Sequence, residues 1–141
     1  MNVENALRPG DEQLQKFFER AGTDGDGPVV MVNLLKFRER AAYPDGRDAH
    51  LSGFEAYARY GLAVTKIVEG LGGRMLYAGA VDGLMIGQVD ELWDQVALVE
   101  YPSRKAFSEM VMMPEYNAIE VHREAGLAGQ LNIGVNTLRG G

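Results

Sequence analysis

Cysteine is absent from the 141 residues. Disulfides, thiolate metal sites, cysteine nucleophiles and cysteine-held iron–sulfur clusters are therefore excluded. Histidine is nearly as scarce, His50 and His122 being the two present, so one chain cannot assemble a multi-histidine metal site and no metal is expected. Basic residues are outnumbered, 14 Lys and Arg against 20 Asp and Glu, for a formal net charge of −6. With no basic excess to meet a phosphate backbone, no nucleic-acid partner is expected. No apolar stretch approaches the about 20 residues that cross a bilayer, so no membrane partner is expected either. Met1 to Gly10 lacks the basic-then-apolar pattern of a secretory leader, which makes a cytoplasmic location the expectation. Walker and dinucleotide glycine spacings ahead of a helix, a serine elbow, repeats and low-complexity tracts are also missing.

What remains is the composition of an ordinary folded protein, 46% hydrophobic and 24% charged. Length and composition predict a single domain over 1–141, with 1–27 as an N-terminal helix and loop and 28–141 as the body.

The first helix opens at Pro9-Gly10-Asp11, carries Leu14, Phe17 and Phe18 on one stripe, and is closed by Gly22. Residues 29–37, Val-Val-Met-Val-Asn-Leu-Leu-Lys-Phe, are apolar except at Asn33 and Lys36, the pattern of a strand buried on both faces. Ser52-Gly53-Phe54-Glu55 is a capping box, in which hydroxyl and carboxylate each satisfy a free amide at a helix start. The helix it opens is amphipathic through Tyr57, Val64 and Val68 and stops at Gly72-Gly73. Strand-like segments follow at 74–81 and 84–87 around an Asp82-Gly83 turn, and another at 95–101 ends at Pro102. Ser103 caps a helix that Met113-Pro114 breaks; a further helix runs from Pro114 to Ala125, with Gly126 as a left-handed stop. A last strand is expected over 131–138.

This order predicts an α+β, ferredoxin-like β-α-β-β-α-β arrangement, with both helical connections on one face of a four-stranded antiparallel sheet and an extra N-terminal helix. Strands apolar at nearly every position leave the other face needing cover. A second copy packed sheet to sheet, a homodimer enclosing a barrel-like interface, is the expected partner.

Polar groups in the apolar strands are the candidates for chemistry. Asn33 could orient or polarise a carbonyl, and Glu100 or Tyr101 could handle a proton. Lys36 and Glu100 could pair, because a buried charge is costly alone; equally, Lys36 could lie exposed at the strand end while Asn33 satisfies backbone groups. Arg74 could hold an anionic group with its planar fork. Tyr57, Tyr60 and Tyr116 read as core or pocket wall. Arg104 and Lys105 open a helix at the end where its dipole disfavours cations, which suggests another job for them, such as meeting an acidic ligand or partner.

Val30-Met31-Val32-Asn33-Leu34-Leu35-Lys36-Phe37, Gly72-Gly73-Arg74 and Leu98-Val99-Glu100-Tyr101-Pro102-Ser103, with Tyr116 and Arg123, resemble the family known as domain of unknown function 1330 over residues 28 to 126. The resemblance implies a dimeric α+β barrel, a superfamily whose members include cofactor-independent monooxygenases, muconolactone-type isomerases, dye-decolorising peroxidases and small heme-degrading enzymes. The expected activity is a cofactor-independent monooxygenase or isomerase reaction on a small anionic or carbonyl-containing ligand, in a cleft between sheet and helices. Asn33, Glu100 and Tyr101 are the catalytic candidates, and Lys36, Tyr60, Arg74, Tyr116 and Arg123 the substrate contacts. A non-catalytic ligand-binding or stress-related dimer is the alternative. Heme binding is a lesser one, since heme-degrading relatives use an asparagine, a tryptophan and a helix histidine and this chain has Asn33, Trp93 and His122.

Overall fold

The computed structural model describes residues 2–138. The elements run α1 (Asp11–Phe17), β1 (Val29–Phe37), α2 (Gly53–Gly70), β2 (Arg74–Ala80), β3 (Gln95–Tyr101), α3 (Arg104–Val111), α4 (Pro114–Gly126) and β4 (Leu127–Val135). The four strands form one antiparallel sheet in the order β2-β3-β1-β4. With α2 linking β1 to β2, and α3 and α4 linking β3 to β4, this is the ferredoxin-like α+β topology that the sequence predicts.

The pleat sorts the side chains of β1 and β3 into two sets. Val29, Met31, Val99 and Tyr101 point to the helices and build the main core with Tyr60, Val64 and Val68 of α2, Met110 of α3 and Tyr116 of α4. Val30, Val32, Leu34, Val96 and Leu98 project to the opposite face, where they are half-buried within the single chain. The expected two-faced burial of β1 is therefore one buried face and one half-covered apolar face.

Two helical starts follow from local chemistry. Ser52 accepts from the Glu55 amide at 3.1 Å while Glu55 accepts from the Ser52 amide at 2.9 Å, the capping box read in the sequence. At α3 the Ser103 hydroxyl accepts from the Ala106 amide, and Asp26, from the loop before β1, accepts from the amides of Arg104 at 2.8 Å and Lys105 at 3.1 Å. Asp26 thus places a carboxylate from within the chain at the positive end of α3, where the sequence suggests an acidic ligand or partner. Burial acts to raise its carboxyl, but four backbone amides override it and hold Asp26 down at about 2.

Several expectations are corrected. No strand forms over 84–87: β3 is paired by β1 on one side and by β2 on the other, so Leu84, Met85 and Ile86 have no strand left to join and lie exposed in the 81–94 connection. The last strand begins at Leu127, directly out of α4, and ends at Val135. Gly126 does not adopt a left-handed conformation; it ends α4 against Gly53, where an added Cβ would collide with the Gly53 carbonyl and the backbone of Tyr57. The α1 helix ends at Phe17 rather than at Gly22, which takes a positive φ of 75° in the turn beyond it.

Candidate active site

Lys36 and Glu100 do not meet. The antiparallel register sets Glu100 opposite Val30, six residues along β1 from Lys36, a separation of about 20 Å at strand spacing. Lys36 instead reaches the Leu92 carbonyl at 3.2 Å and Asp94 at 3.5 Å, pinning the base of the 81–94 connection. Glu100 pairs with Arg74 at 3.1 Å, their β-partnership placing both on the sheet face away from the helices. Lys36, Arg74 and Glu100 are thus not brought to one cleft with the other candidates.

Asn33, Tyr60, Tyr101, Tyr116 and Arg123 are. They line a cleft of about 780 Å³ between the helix-side sheet face, α2, α3, α4 and the N-terminal segment. Its floor carries a chain of polar contacts. The Arg123 guanidinium donates through Nη2 to the Leu7 carbonyl at 2.6 Å and to Gln130 Oε1 at 2.7 Å. Gln130 Nε2 donates to Asn33 Oδ1 at 2.7 Å, and Asn33 Nδ2 donates to the carbonyls of Ala97 at 3.2 Å and Met31 at 3.3 Å. An arginine can only donate, so it fixes the oxygen end of Gln130, which in turn fixes Asn33. Both amide hydrogens of Asn33 face main-chain carbonyls, the backbone-satisfying arrangement that is one of the two sequence readings of this residue.

Four tyrosines gather on the wall. The hydroxyls of Tyr60 and Tyr116 are 3.1 Å apart and hydrogen-bonded. Those of Tyr57 and Tyr101 have no protein partner among the described residues. No fully buried side-chain polar atom among those residues lacks a partner, so both hydroxyls open onto the cleft. Burial keeps all four protonated: Tyr57 is pushed up to about 12 against the lowering influence of Arg123, and Tyr60, Tyr101 and Tyr116 are also raised. Phe107 stacks edge-on to Tyr101 at 4.6 Å between ring centroids, and Phe17 approaches Phe107 at 5.8 Å.

Sequence reading missed Gln130, Glu120 and the unpartnered state of Tyr57. The signal for Glu120 was available: Tyr116, Glu120 and Arg123 recur at helical spacing and share one face of α4. Gln130 carried no such signal, because its role depends on the pairing of β4 with β1. The N-terminal segment was also unforeseen as a wall. It is tied down where the Ala6 amide donates to the Gln130 carbonyl at 3.1 Å, the Trp93 indole donates to Asn5 at 2.7 Å and Arg8 meets Glu124 at 2.6 Å.

His122 and Trp93, which with Asn33 suggested a heme site, are engaged elsewhere. His122 Nδ1 is 2.7 Å from the Tyr43 hydroxyl, and Arg59 donates to that same hydroxyl at 3.1 Å. The three residues are held by three different partners: Gln130 for Asn33, Asn5 for Trp93 and Tyr43 for His122.

The four-stranded antiparallel sheet, with helices on one face and a tyrosine-lined cleft beneath them, defines a ferredoxin-like α+β protein. Residues 48–134 match the family described as domain of unknown function (DUF1330), and the chain belongs to that family. The matched span takes in the Gly72-Gly73-Arg74 and Leu98 to Ser103 blocks, whereas the Val30 to Phe37 block lies before it. The crystal structure of methylated RPA0582 protein is similar at 38% identity over 99% of each chain, with a TM-score of 0.85. A second structure of RPA0582, a protein of unknown function from Rhodopseudomonas palustris, gives 36% identity, coverage of 96% of this chain and 99% of that one, and a TM-score of 0.83. A dimeric protein of unknown function with a ferredoxin-like fold from Bacteroides fragilis is similar in fold, at 12% identity over 79% of this chain and 97% of that one, TM-score 0.51. No curated protein matches the chain.

Proposed function

We propose that the cleft binds a small aromatic or carbonyl-containing anion and that the protein is a small-molecule enzyme of the cofactor-independent monooxygenase or isomerase kind. The observation that carries this reading is Arg123: a half-buried guanidinium on the cleft, with no carboxylate within ion-pair distance among the described residues. A cation in such a position favours an incoming anion, and its planar fork suits a carboxylate. Aromatic walls and a volume within the range of small-molecule pockets agree with it. Tyr60, Tyr101, Tyr116 and Arg123 are the ligand contacts, and Asn33 is a positioning residue acting through Gln130.

The half-covered apolar sheet face supports a homodimer built sheet to sheet, with Val32 and Leu98 central in it. Sedimentation of the wild type as a dimer and of Val32→Glu as a folded monomer would bear this out; a wild-type monomer would refute it.

A non-catalytic binding protein is the second reading, favoured by Asn33, whose amide hydrogens are both directed to main-chain carbonyls rather than to the cleft. Calorimetric titration with 1-naphthoate tests the binding that both readings share. One equivalent per chain is expected, weakened about tenfold or more in Arg123→Met by loss of a charge-assisted contact. Wild-type protein that takes up no naphthoate would overturn the cleft as an anion site.

A further inference from the structure

Resting on the cleft reading above, a narrower chemistry follows from which of its groups are engaged with protein and which are not. We propose that the cleft enolises aromatic 2-oxo acids, with Glu120 accepting the proton, Tyr57 and Tyr101 donating hydrogen bonds to the enolate oxygen, and Arg123 holding the carboxylate.

The hydroxyl inventory is the first support. Of the four clustered tyrosines, Tyr60 and Tyr116 satisfy each other, while Tyr57 and Tyr101 open onto the cleft with no protein partner among the described residues. Held in the phenol form by burial, the two are donors, so the complementary ligand atom is an acceptor, best one that gains negative charge during the reaction. Arg123, close enough to Tyr57 to pull its ionisation down against burial, adds positive potential at the same place.

Glu120 is the second support. It lines the cleft from α4, four residues after Tyr116 and three before Arg123, and has no hydrogen-bond or ion-pair partner among the described residues. Glu100, the carboxylate suggested by the sequence, is engaged with Arg74 on the other face of the sheet. A carboxylate without a partner, two phenol donors and an anchoring guanidinium are the parts needed to remove a proton next to a carbonyl. The Phe107 and Tyr101 rings supply an apolar wall for an aryl group.

The step balances without a co-reactant. The carbon–hydrogen bond next to the carbonyl breaks and its proton passes to a Glu120 oxygen. The electron pair forms the carbon–carbon double bond while the carbonyl π pair moves onto oxygen, where Tyr57 and Tyr101 donate to it. Return of the proton to that oxygen gives the enol, and its return to carbon regenerates the ketone. Nothing is oxidised or reduced.

Phenylpyruvate is a suitable probe, carrying an aryl ring, a carboxylate and an acidic methylene. Proton NMR in D2O follows loss of the methylene signal with wild-type protein, Glu120→Gln, Tyr57→Phe and Tyr101→Phe, each checked for folding by circular dichroism. The wild type is expected to exchange the methylene faster than buffer, Glu120→Gln to fall to the buffer rate, and each phenylalanine variant to lose about tenfold or more. Exchange at the buffer rate in the wild type, or undiminished exchange in Glu120→Gln, overturns the proposal. If naphthoate still binds the wild type in that case, the cleft reading survives; if naphthoate binding is also absent, both fall.

Discussion

Gln130 donates to Asn33 at 2.7 Å across the β1–β4 pair, and through that bond an arginine on α4 fixes an amide on the central strand. Gln130→Leu would leave Asn33 Oδ1 and the Arg123 fork short of partners in a half-buried setting. A loss of about 1–3 kcal/mol of stability is expected in urea unfolding. An unchanged unfolding midpoint would mean that the ladder contributes nothing to the fold.

Asp26 caps α3 from a distant loop, and its pH dependence has a definite sign. Its carboxyl lies at about 2 in the fold against an ordinary 3.8, so the unfolded chain binds more protons between those values. The stability it contributes is complete above the ordinary value and is lost as pH falls toward and through about 2. Asp26→Ala is expected to cost about 1 kcal/mol at neutral pH, as loss of a helix cap does, and to flatten part of the acid limb of a stability profile. Parallel wild-type and variant profiles below pH 4 would contradict this.

His122 titrates in a different window. Burial first, then the cations of Arg59 and Arg47, push its imidazole down, with Asp48 opposing them, while Tyr43 holds its Nδ1. The unfolded chain therefore takes up this proton first as pH falls below the ordinary 6.5, and stability decreases over that range. Thermal unfolding between pH 7 and 5 should show a shallower decrease for His122→Gln than for the wild type. An equal slope in both would assign the acid sensitivity to other groups.

Much of the fold is legible in the sequence because its signals are local. The Ser52 capping box, the Met113-Pro114 break and the apolar run of β1 each depend on residues within one turn or one strand. What could not be read depends on pairing. Lys36 and Glu100 looked like partners until the register separated them, and the strand suggested by Leu84 to Ile86 fails because β3 already has two neighbours. The site divides in the same way. Tyr60 is marked by its place on the apolar side of its helix, and Tyr116 and Arg123 by the family resemblance, whereas Gln130 enters the site only through the β1–β4 register and the N-terminal wall only through contacts far along the chain.

Gly126 shows how a correctly marked residue can carry the wrong reason. Its value lies in the close approach of α4 to the start of α2 rather than in a left-handed turn. Gly126→Ala would force backbone against backbone, which cannot yield as a flexible side chain can. A loss of about 2–3 kcal/mol is expected, seen as a lower melting temperature. A variant as stable as the wild type would show that the two helices can separate freely.

Ligand is expected to bind beneath the helices and not on the open sheet face. Amide chemical-shift mapping during titration with 1-naphthoate separates the two directly. The largest shifts are expected at Tyr57, Tyr101, Arg123 and Gln130, with Val32, Val96 and Leu98 undisturbed. Shifts centred on Val32, Val96 and Leu98, or none anywhere, would place the ligand elsewhere or nowhere and overturn this reading.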